Sequence, residues 1–384
     1  MILRKQYLEE LERAFRVHPI VGILGPRQCG KTTLAKQYLD TLGPTPNRNY
    51  FDLEDSTDLS RLIDPKIALE NLSGLIIIDE IQRIPELFPT LRVLVDANKD
   101  KQKYLILGSA SQELLKQSSE SLAGRIEYLS LSPLSFFETN DWNKLWLRGG
   151  FPNSYLAIDD DASLRWRNAY IRTFLERDIP NLGIQLAPGH LHRFWMMLAH
   201  YHGNTMNYSE LAKSMNISSK TAMYYLDILV GTFMIRRLQP WHENISKRQV
   251  KAPKIYFRDS GLYHALLQIQ DADNLYTHPK LGASWEGFAL EEIIRQHHIA
   301  ENEAYFWATH NQAELDLLLF HKGKRLGFEF KYTSTPKVTK SMHIAIQDLN
   351  LDHLTIVYPG KKSYQLDERI FVSGFDVIGA KSHS

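Results

Sequence analysis

The chain has 384 residues, of which 43% are hydrophobic and 23% are charged. This length predicts two or three domains, and the composition is typical of globular proteins rather than disordered or fibrous ones. The formal net charge of +1 gives the molecule as a whole no electrostatic preference for nucleic acid, and the single cysteine excludes an internal disulfide.

The N-terminal segment 1–15 is charged and amphipathic and lacks the apolar stretch of a secretory leader. No apolar run in the chain approaches the roughly 20 residues that a membrane helix needs. Together with the lone cysteine, these features predict a cytoplasmic protein that does not contact a membrane.

The first part of the chain alternates strands and helices. Short, fully apolar strands are predicted at Ile20–Leu24, Leu75–Ile78 and Tyr104–Leu107, and a helix begins at Lys31. Strands of this kind, separated by helices, indicate an α/β fold whose parallel sheet is covered on both faces.

A glycine-rich turn lies between the first strand and that helix. It has the P-loop pattern of Gly, four residues and Gly-Lys-Thr, in the strand-to-helix context that the pattern requires. The glycines let backbone N–H groups surround phosphate oxygens, and the helix N-terminus adds a partial positive charge. Lys31 would contact the β- and γ-phosphates of ATP, and the Thr32 hydroxyl would bind Mg²⁺. The predicted nucleotide-binding residues are Gly25, Pro26, Arg27, Gln28, Cys29, Gly30, Lys31, Thr32, Thr33 and Asp79.

Two adjacent carboxylates follow the second apolar strand. Asp79, at the carboxyl end of that strand, is predicted to hold Mg²⁺ through water, and Glu80 to act as the general base that polarises the attacking water. Acidic residues at strand ends are common, so the pair gains its meaning from the P-loop that precedes it.

The middle of the chain is basic, with 14 Lys/Arg against 7 Asp/Glu between residues 161 and 270. This excess is typical of contact with a phosphate backbone, although a solvated surface or an acidic neighbouring domain explains it as well. The segment 208–229 predicts two helices joined by a turn, with Ser218 as the N-cap of the second helix. It resembles a helix-turn-helix that exposes Lys220, Thr221 and Tyr224, followed by a basic wing of Arg236, Arg237, Lys247, Arg248, Lys251 and Lys254.

The last part of the chain predicts a hairpin of two strands, 314–320 and 326–331. Alternation along the second strand points Glu329 and Lys331 to the same face. Asp316 followed by Glu-x-Lys on the paired strand resembles the core of PD-(D/E)XK nucleases. That resemblance implies that Asp316 and Glu329 hold Mg²⁺ and that Lys331 orients the hydrolytic water.

Glu286, on a helix that precedes the hairpin, matches a further acidic residue of that fold and could join the metal ligands. The first acidic motif reads Leu315-Asp316 instead of Pro-Asp, and a simple ladder of ion pairs is the alternative reading. The spacing of His297, His298 and His310 matches no zinc pattern, so these histidines are predicted to be structural or exposed.

Taken in order, these motifs resemble the prokaryotic AAA ATPases that carry a C-terminal domain of unknown function. The resemblance implies a RecA-like AAA+ P-loop core at 1–130, a helical lid and connector at 131–189, a winged-helix region at 190–270 and a restriction-endonuclease-like α/β domain at 271–384. It is carried by Gly25–Thr33, Leu75–Gln82, Gly108–Ser111, Leu122–Arg125, Leu131–Leu134, Gly149–Pro152, Pro253–Leu262, Trp285–Phe288 and Glu329–Lys331.

The same resemblance assigns roles to two polar residues near strand ends. It implies that Ser109, or its neighbour Ser111, senses the γ-phosphate, and that Arg125 is an arginine finger presented to an adjacent subunit. A turn serine and a local ion pair are the alternatives. The lid arginine that senses nucleotide could be Arg165, Arg167, Arg172 or Arg177.

These features predict a Mg²⁺-dependent ATPase that acts on duplex, forked or branched DNA as a homo-oligomer such as a hexameric ring. Translocation, branch migration and structure-specific cleavage are all compatible with it. The alternatives are an ATP-dependent signalling switch, whose inactive nuclease-like domain docks a protein partner, and a nuclease that ATP holds in check.

Overall fold

The computed structural model describes residues 2–43, 49–97, 101–109, 120–184, 186–300, 303–311 and 313–380. The chain divides into two compact units. The first comprises Met1–Pro133 with Gly231–Phe233, and the second comprises Leu134–Val230 with Met234–Ser384. The predicted boundary at 130/131 lies close to this division, whereas those at 189/190 and 270/271 both fall inside the second unit and stay predictions.

A five-stranded sheet forms the centre of the first unit, with the order β2-β3-β4-β1-β5. All four neighbouring pairs are parallel, which confirms the predicted parallel sheet. The strands are β1 (Ile20–Leu24), β2 (Tyr50–Asp52), β3 (Gly74–Asp79), β4 (Gln102–Gly108) and β5 (Ile126–Ser130).

Helices supply the apolar cover of this sheet on two faces. One buried cluster includes Ile76, Ile78 and Leu91, and the other includes Ile77, Leu34 and Leu11, so alternate residues of β3 face opposite layers. The helices are Lys5–Val17, Lys31–Thr41, Ser56–Arg61, Pro65–Glu70 and Leu87–Ala97, with a 3₁₀ turn at Ile81–Arg83.

The second unit begins with a helical region. Its apolar core includes Trp195, Leu226 and Tyr263, each almost completely buried. The helices before the next sheet are Phe136–Thr139, Trp142–Arg148, Pro152–Tyr155, Asp160–Thr173, Ile179–Asn181, Pro188–Tyr201, Tyr208–Met215 and Ser219–Gly231, with a π-helical turn at Phe174–Asp178.

An eight-stranded mixed sheet organises the rest of the second unit, in the order β12-β13-β11-β10-β9-β8-β6-β7. The hairpin β6–β7 joins this sheet because Gln239 and Pro240 pair with Tyr305 and Phe306 of β8. The strands are β6 (Ile235–Pro240), β7 (Lys254–Phe257), β8 (Ala304–Ala308), β9 (Glu314–His321), β10 (Lys324–Phe330), β11 (His353–Tyr358), β12 (Ser363–Asp367) and β13 (Ile370–Gly374).

The helices around this sheet include one long element, Leu281–Gln296, whose buried face carries ten residues from Ser284 to Ile294. The others are Ser260–Leu266, Ala272–Thr277, Lys340–Asp348 and Phe375–Ala380. Within the described ranges, no helix combines the length and the apolar character needed to cross a membrane.

Candidate functional site

The P-loop connects β1 to the helix Lys31–Thr41 by a turn that only particular residues can form. Gly30, immediately before the helix, has φ +104°, a conformation that side chains other than glycine rarely adopt. A Cβ atom on Gly25 would overlap the carbonyl oxygen of Leu131, so this glycine permits a close approach of two backbone segments. These two glycines therefore permit the turn that leads from β1 into the helix, and their contact with phosphate stays a prediction.

Lys31 is buried, and its ammonium group lies over the loop. Its Nζ atom donates to the carbonyl oxygens of Gly25 and Pro26, both at 3.1 Å. The side chain is 5% exposed, so its position is set by the loop rather than by solvent. A lysine held here concentrates positive charge at the N-terminal end of the helix.

Thr32 and Asp79 meet at the carboxyl end of β3. The Thr32 hydroxyl donates to Asp79 Oδ2 at 2.7 Å, and the Tyr50 hydroxyl donates to the same oxygen at 3.0 Å. The register of β2 and β3, with Asp52 opposite Asp79, brings Tyr50 into this position. Sequence reasoning did not identify Tyr50, because nothing in its strand marks it as a partner of a distant aspartate.

Glu80 has a left-handed backbone conformation, with φ +57° and ψ +44°. Non-glycine residues rarely adopt this conformation, which is common at functional sites. Burial raises the pKa of Glu80 above its ordinary value, while the charge of Lys31 opposes this rise. The Gln82 side chain donates to the Glu80 carboxylate. Glu80 is therefore fixed beside Asp79 in a position suited to a general base.

These residues fit a nucleotide with Mg²⁺. The left-handed turn at Gly30 leaves open space, and the buried ammonium of Lys31 lies beside it, which suits a triphosphate. The Thr32 hydroxyl and the Asp79 carboxylate are oxygen ligands of the kind that Mg²⁺ prefers. Cys29, inside the loop, is buried, and burial raises the pKa of its thiol, which agrees with a packing role.

The predicted sensor and finger residues lie at the ends of neighbouring strands. Ser109 directly follows β4 and is half-buried, whereas Ser111 lies outside the described residues. Arg125 precedes β5 and forms a bidentate ion pair with Asp96, at 2.7 and 2.8 Å. The roles of Ser109 and Arg125 stay predictions.

A second cluster of ionisable side chains lies in the second unit, on the strands predicted to form a hairpin. β9 and β10 pair antiparallel, as expected. Lys331 Nζ lies 2.7 Å from Glu329 Oε2 and 3.5 Å from Asp316 Oδ2. Asp316 also accepts a hydrogen bond from the backbone N–H of Phe330 at 3.0 Å. Asp316, Glu329 and Lys331 are thus brought together.

Glu286 reaches this cluster from the helix Leu281–Gln296 with partners that sequence reasoning missed. Its carboxylate accepts from the Tyr256 hydroxyl at 2.6 Å and lies 3.7 Å from Lys254 Nζ. Lys254 also forms an ion pair with Glu314. Alternation along β7 places Lys254 and Tyr256 on one face, as alternation along β9 does for Glu314 and Asp316. The alternation along β7 and β9 could be read from the sequence. The contacts of β7 with Glu286 and Glu314 could not, because no local pattern predicts them.

The charges within the cluster influence one another strongly. Burial raises the pKa of Glu286 and of Glu329, and the charge of Asp316 raises both further. Burial by itself lowers the pKa of Lys254, but Glu286, Asp316 and Glu314 outweigh it, so the pKa lies above its ordinary value. The protonation of each of these side chains therefore depends on the charges of the others.

The cluster is not a ready-made metal site. Among the described residues, no group of three or more His, Cys, Asp or Glu side chains is arranged to hold a metal ion. The ammonium groups of Lys254 and Lys331 lie against the carboxylates that a metal would need. The magnesium set Glu286, Asp316 and Glu329 stays a prediction. Within the same described ranges, His297, His298 and His310 belong to no such group.

The basic side chains predicted to form an exposed wing are mostly engaged in ion pairs. The prediction is wrong for Arg236 and Lys254, because both are buried. Arg236 pairs with the buried carboxylate of Glu291, whereas Lys254 pairs with Glu286 and Glu314, which are partly exposed. Arg248 and Lys251 are exposed. The ion pairs outside the cluster are Arg236–Glu291, Arg237–Asp227 and Lys247–Asp348.

The two helices predicted before the wing are present at Tyr208–Met215 and Ser219–Gly231. The Ser218 hydroxyl oxygen accepts from the Thr221 N–H at 3.0 Å, which is the expected N-cap interaction. Lys220 and Tyr224 are exposed on the second helix, and Thr221 is half-buried.

One of the four lid arginines is not available to a nucleotide. Arg167 is completely buried, and its guanidinium donates to the carbonyl oxygens of Leu147 and Gly261 at 3.3 and 2.9 Å. Burial lowers its pKa to about 10. Arg167 therefore has a packing role in the second unit, which leaves Arg165, Arg172 and Arg177 as candidates.

Comparison with protein families divides the chain into three matched regions. Residues 17–140 match the AAA domain, residues 139–273 match a domain of unknown function (DUF8612), and residues 281–377 match another (DUF4143). The Walker-type ATPase PABY2304 of Pyrococcus abyssi has a similar fold, with a TM-score of 0.51 at 16% identity over 70% of this chain and 96% of that one.

Two relatives align with almost the whole sequence. Uncharacterised proteins of Mycobacterium tuberculosis and Mycobacterium bovis are each 47% identical over 380 residues, which is 98% of this chain and 85% of theirs. An uncharacterised protein of Haemophilus influenzae is 26% identical over 295 residues, 68% of this chain and 72% of its own length. The chain therefore belongs to the family of the mycobacterial proteins, in which a P-loop ATPase domain of the AAA class is followed by two domains of unknown function.

Proposed function

We propose that the protein is a Mg²⁺-dependent ATPase that acts on DNA. The observation that carries the first part is the hydrogen bond of Thr32 to Asp79 at 2.7 Å, with Lys31 over the loop and Glu80 next along the chain. These four residues lie in the first unit, and their chemistry supports ATP hydrolysis.

The roles of these residues follow from their chemistry. Lys31 and the N–H groups of the loop bind the phosphates, and Thr32 with Asp79 holds Mg²⁺. Bound Mg²⁺ neutralises phosphate charge and orients the β- and γ-phosphates. Glu80, whose pKa is raised by burial, accepts a proton from the attacking water.

ATP turnover by three variants tests this assignment. Lys31→Ala removes the phosphate contact, so we expect both ATP binding and turnover to fall, turnover by at least about 100-fold. Glu80→Gln retains the shape but not the base, so turnover should fall about 100-fold while ATP binding persists. Glu86→Gln, at an exposed position six residues along, is the matched control and should resemble the wild type. Full turnover by Glu80→Gln would exclude Glu80 as the base.

The DNA part rests on the second unit. The exposed face of the helix Ser219–Gly231, with Lys220 and Tyr224, supports a winged helix that enters a DNA groove. The lysine–carboxylate cluster around Asp316 supports a nuclease-like α/β domain at the phosphodiester backbone. An arginine finger at Arg125 implies a homo-oligomer such as a ring.

ATPase rates with duplex, forked and four-way DNA test this part. We expect stimulation that weakens with salt, as phosphate contacts require. Lys220→Ala combined with Tyr224→Ala should lower the stimulation without changing the basal rate. Lys66→Ala, an exposed lysine of the first unit, is the control. If DNA is also cut, cleavage should be lost in Asp316→Ala and retained in Lys31→Ala.

A second candidate is an ATP-dependent regulatory switch whose nuclease-like domain is inactive and docks a protein partner. One observation favours it, namely that most of the basic side chains expected to contact DNA form internal ion pairs. The absence of DNA stimulation at every salt concentration, with ATP turnover intact, would favour the switch over the DNA-directed ATPase.

A further inference from the structure

Lys254 is an almost completely buried cation in the carboxylate cluster of the second unit. Its side chain is 5% exposed, and its ammonium lies against Glu286 at 3.7 Å and forms an ion pair with Glu314. Lys331, the other lysine of the cluster, is 40% exposed. The two ammonium groups thus differ in their access to solvent.

Neighbouring residues hold Lys254 in place. In the hairpin β6–β7, Lys254 is paired with Leu238, and its backbone also forms a bridge with Thr205. Its Nζ lies 5.5 Å from the centre of the Phe306 ring, which is itself buried. An ammonium enclosed in this way keeps its carboxylate partners, because leaving them would strand a charge away from water.

The four carboxylates of the cluster form two pairs, each with its own lysine. Lys254 contacts Glu286 and Glu314, whereas Lys331 contacts Asp316 and Glu329. A divalent cation would use the same carboxylate oxygens and would be repelled by an ammonium that remains among them. The Lys331 side chain is 40% exposed and borders solvent, whereas that of Lys254 is enclosed at 5%.

We infer that Lys254 is a resident cation that excludes a divalent metal from the Glu286–Glu314 half of the cluster. The other half, Asp316 and Glu329, can then take no more than a single divalent cation. This inference deepens the proposed function and rests on it in one respect: a divalent cation has to bind the carboxylate cluster. Lys254 is a positioning residue in this account, since it sets the charge and the geometry of Glu286.

Titration of the full-length protein with Mn²⁺, followed by calorimetry and by electron paramagnetic resonance, tests the inference. Every protein carries Asp79→Asn, which removes the carboxylate that the ATP site offers to a metal ion, and no nucleotide is added. We expect at most one Mn²⁺ per chain before Lys254 is changed. Lys254→Met should add a second Mn²⁺ or tighten binding by at least about tenfold, because the positive charge beside Glu286 and Glu314 has been removed.

Two further variants keep the test decisive. Lys254→Arg preserves the charge and should bind Mn²⁺ as the parent does. Adding Glu314→Gln to Lys254→Met should abolish the gain, since one of the freed carboxylates is lost. Two Mn²⁺ ions bound before Lys254 is changed, or a folded Lys254→Met protein with unchanged binding, would overturn the inference. Should Lys254→Met not fold, Lys254→Gln replaces it with the same expectations.

The outcome is separable from that of the proposed function. Mn²⁺ binding reports on the second unit, whereas ATP turnover and its response to DNA are measured on proteins with an intact Asp79. A gain of Mn²⁺ binding in Lys254→Met without DNA stimulation of ATP turnover would support Lys254 as the resident cation while rejecting the DNA-directed ATPase.

Discussion

At the scale of single residues, buried polar side chains hold the acidic groups of the candidate sites in position. Asp79 shows this most directly, because one of its oxygens accepts from both Thr32 and Tyr50. A carboxylate fixed by two hydroxyl groups loses little freedom when it engages Mg²⁺. Tyr50 is therefore expected to contribute to the ATP site without touching the nucleotide.

Replacing Tyr50 by phenylalanine tests this contribution. Tyr50→Phe removes a single hydrogen bond to Asp79, so the Mg²⁺ concentration for half-maximal ATP turnover should rise about two- to tenfold. The maximal rate at saturating Mg²⁺ should change less than this. Tyr104→Phe, which removes a buried hydroxyl from the same sheet, is the control, since Tyr104 bonds Gln102 instead. An unchanged Mg²⁺ dependence would show that the Tyr50 hydroxyl is not needed to position Asp79, which also accepts from Thr32 and from the Glu80 N–H.

Two buried histidines of the second unit make its stability dependent on pH. Burial lowers the pKa of His202 and of His264 to about 3. His202 Nδ1 accepts from the Phe257 N–H at 3.0 Å, so a proton on this nitrogen would break the bond. His264 lies between the Leu147 carbonyl and the Ser284 hydroxyl, a pairing that suits a neutral ring. Both rings are therefore neutral in the folded protein.

The sign of the pH effect follows from these lowered pKa values. In the unfolded chain these two histidines take up protons below about pH 6.5, whereas in the folded chain they stay neutral until about pH 3. The free energy of unfolding therefore falls as the pH drops from about 6.5 towards about 3. Each histidine should contribute about 1.4 kcal/mol per pH unit to this fall. All seven tryptophans lie in the second unit, so their fluorescence during urea unfolding reports on it. His264→Gln should flatten the slope by about one such contribution, and exposed His190→Gln should not.

At the scale of elements, the helix Leu281–Gln296 is fixed by a close approach at Gly287. A Cβ atom there would overlap Nε2 of His202, and this nitrogen bonds the Ala283 carbonyl one turn earlier at 3.1 Å. The same helix carries Glu286 into the carboxylate cluster. The absence of a side chain at residue 287 thus sets the position of Glu286.

Alanine substitutions within this one helix test the approach. Gly287→Ala should destabilise the second unit by about 1–3 kcal/mol through overpacking, despite the better helix propensity of alanine. Gly282→Ala, at a position with open space around it, should be neutral or stabilising by up to about 1 kcal/mol. Tryptophan-monitored urea unfolding of both variants gives the comparison. Equal stability of the two would show that the backbone can move away from His202.

The elements also show which features a sequence reveals and which it does not. The placement of the P-loop, Asp79 and Glu80 at the ends of strands was predictable because the motifs that mark them are short and local. The hairpin β9–β10 was predictable from alternation and its turn. The place of Lys254 was not, because it depends on the contact of β7 with Glu286 and Glu314 from later in the chain. A lysine in a basic stretch looks exposed until such contacts are known.

At the scale of the whole molecule, the arrangement of the first unit followed from the sequence more readily than that of the second. Alternating helices and apolar strands require a parallel sheet, and its five strands are all parallel. The second sheet mixes parallel and antiparallel pairs and includes β6 through only two paired positions, Gln239 and Pro240. Pairings of this kind join distant parts of the chain, so local patterns do not specify them.

The assembly of subunits into an oligomer can be tested through Arg125. The ion pair of Arg125 with Asp96 must open before the guanidinium can reach the phosphates of a neighbouring subunit. Arg125→Ala and Lys31→Ala should each be nearly inactive alone. If Arg125 acts in trans, equal mixing should complete about a quarter of the subunit interfaces and restore about a quarter of wild-type ATP turnover. Mixtures that stay inactive after subunit exchange, shown by labelled chains, would mean that Arg125 acts within its own subunit or only pairs with Asp96.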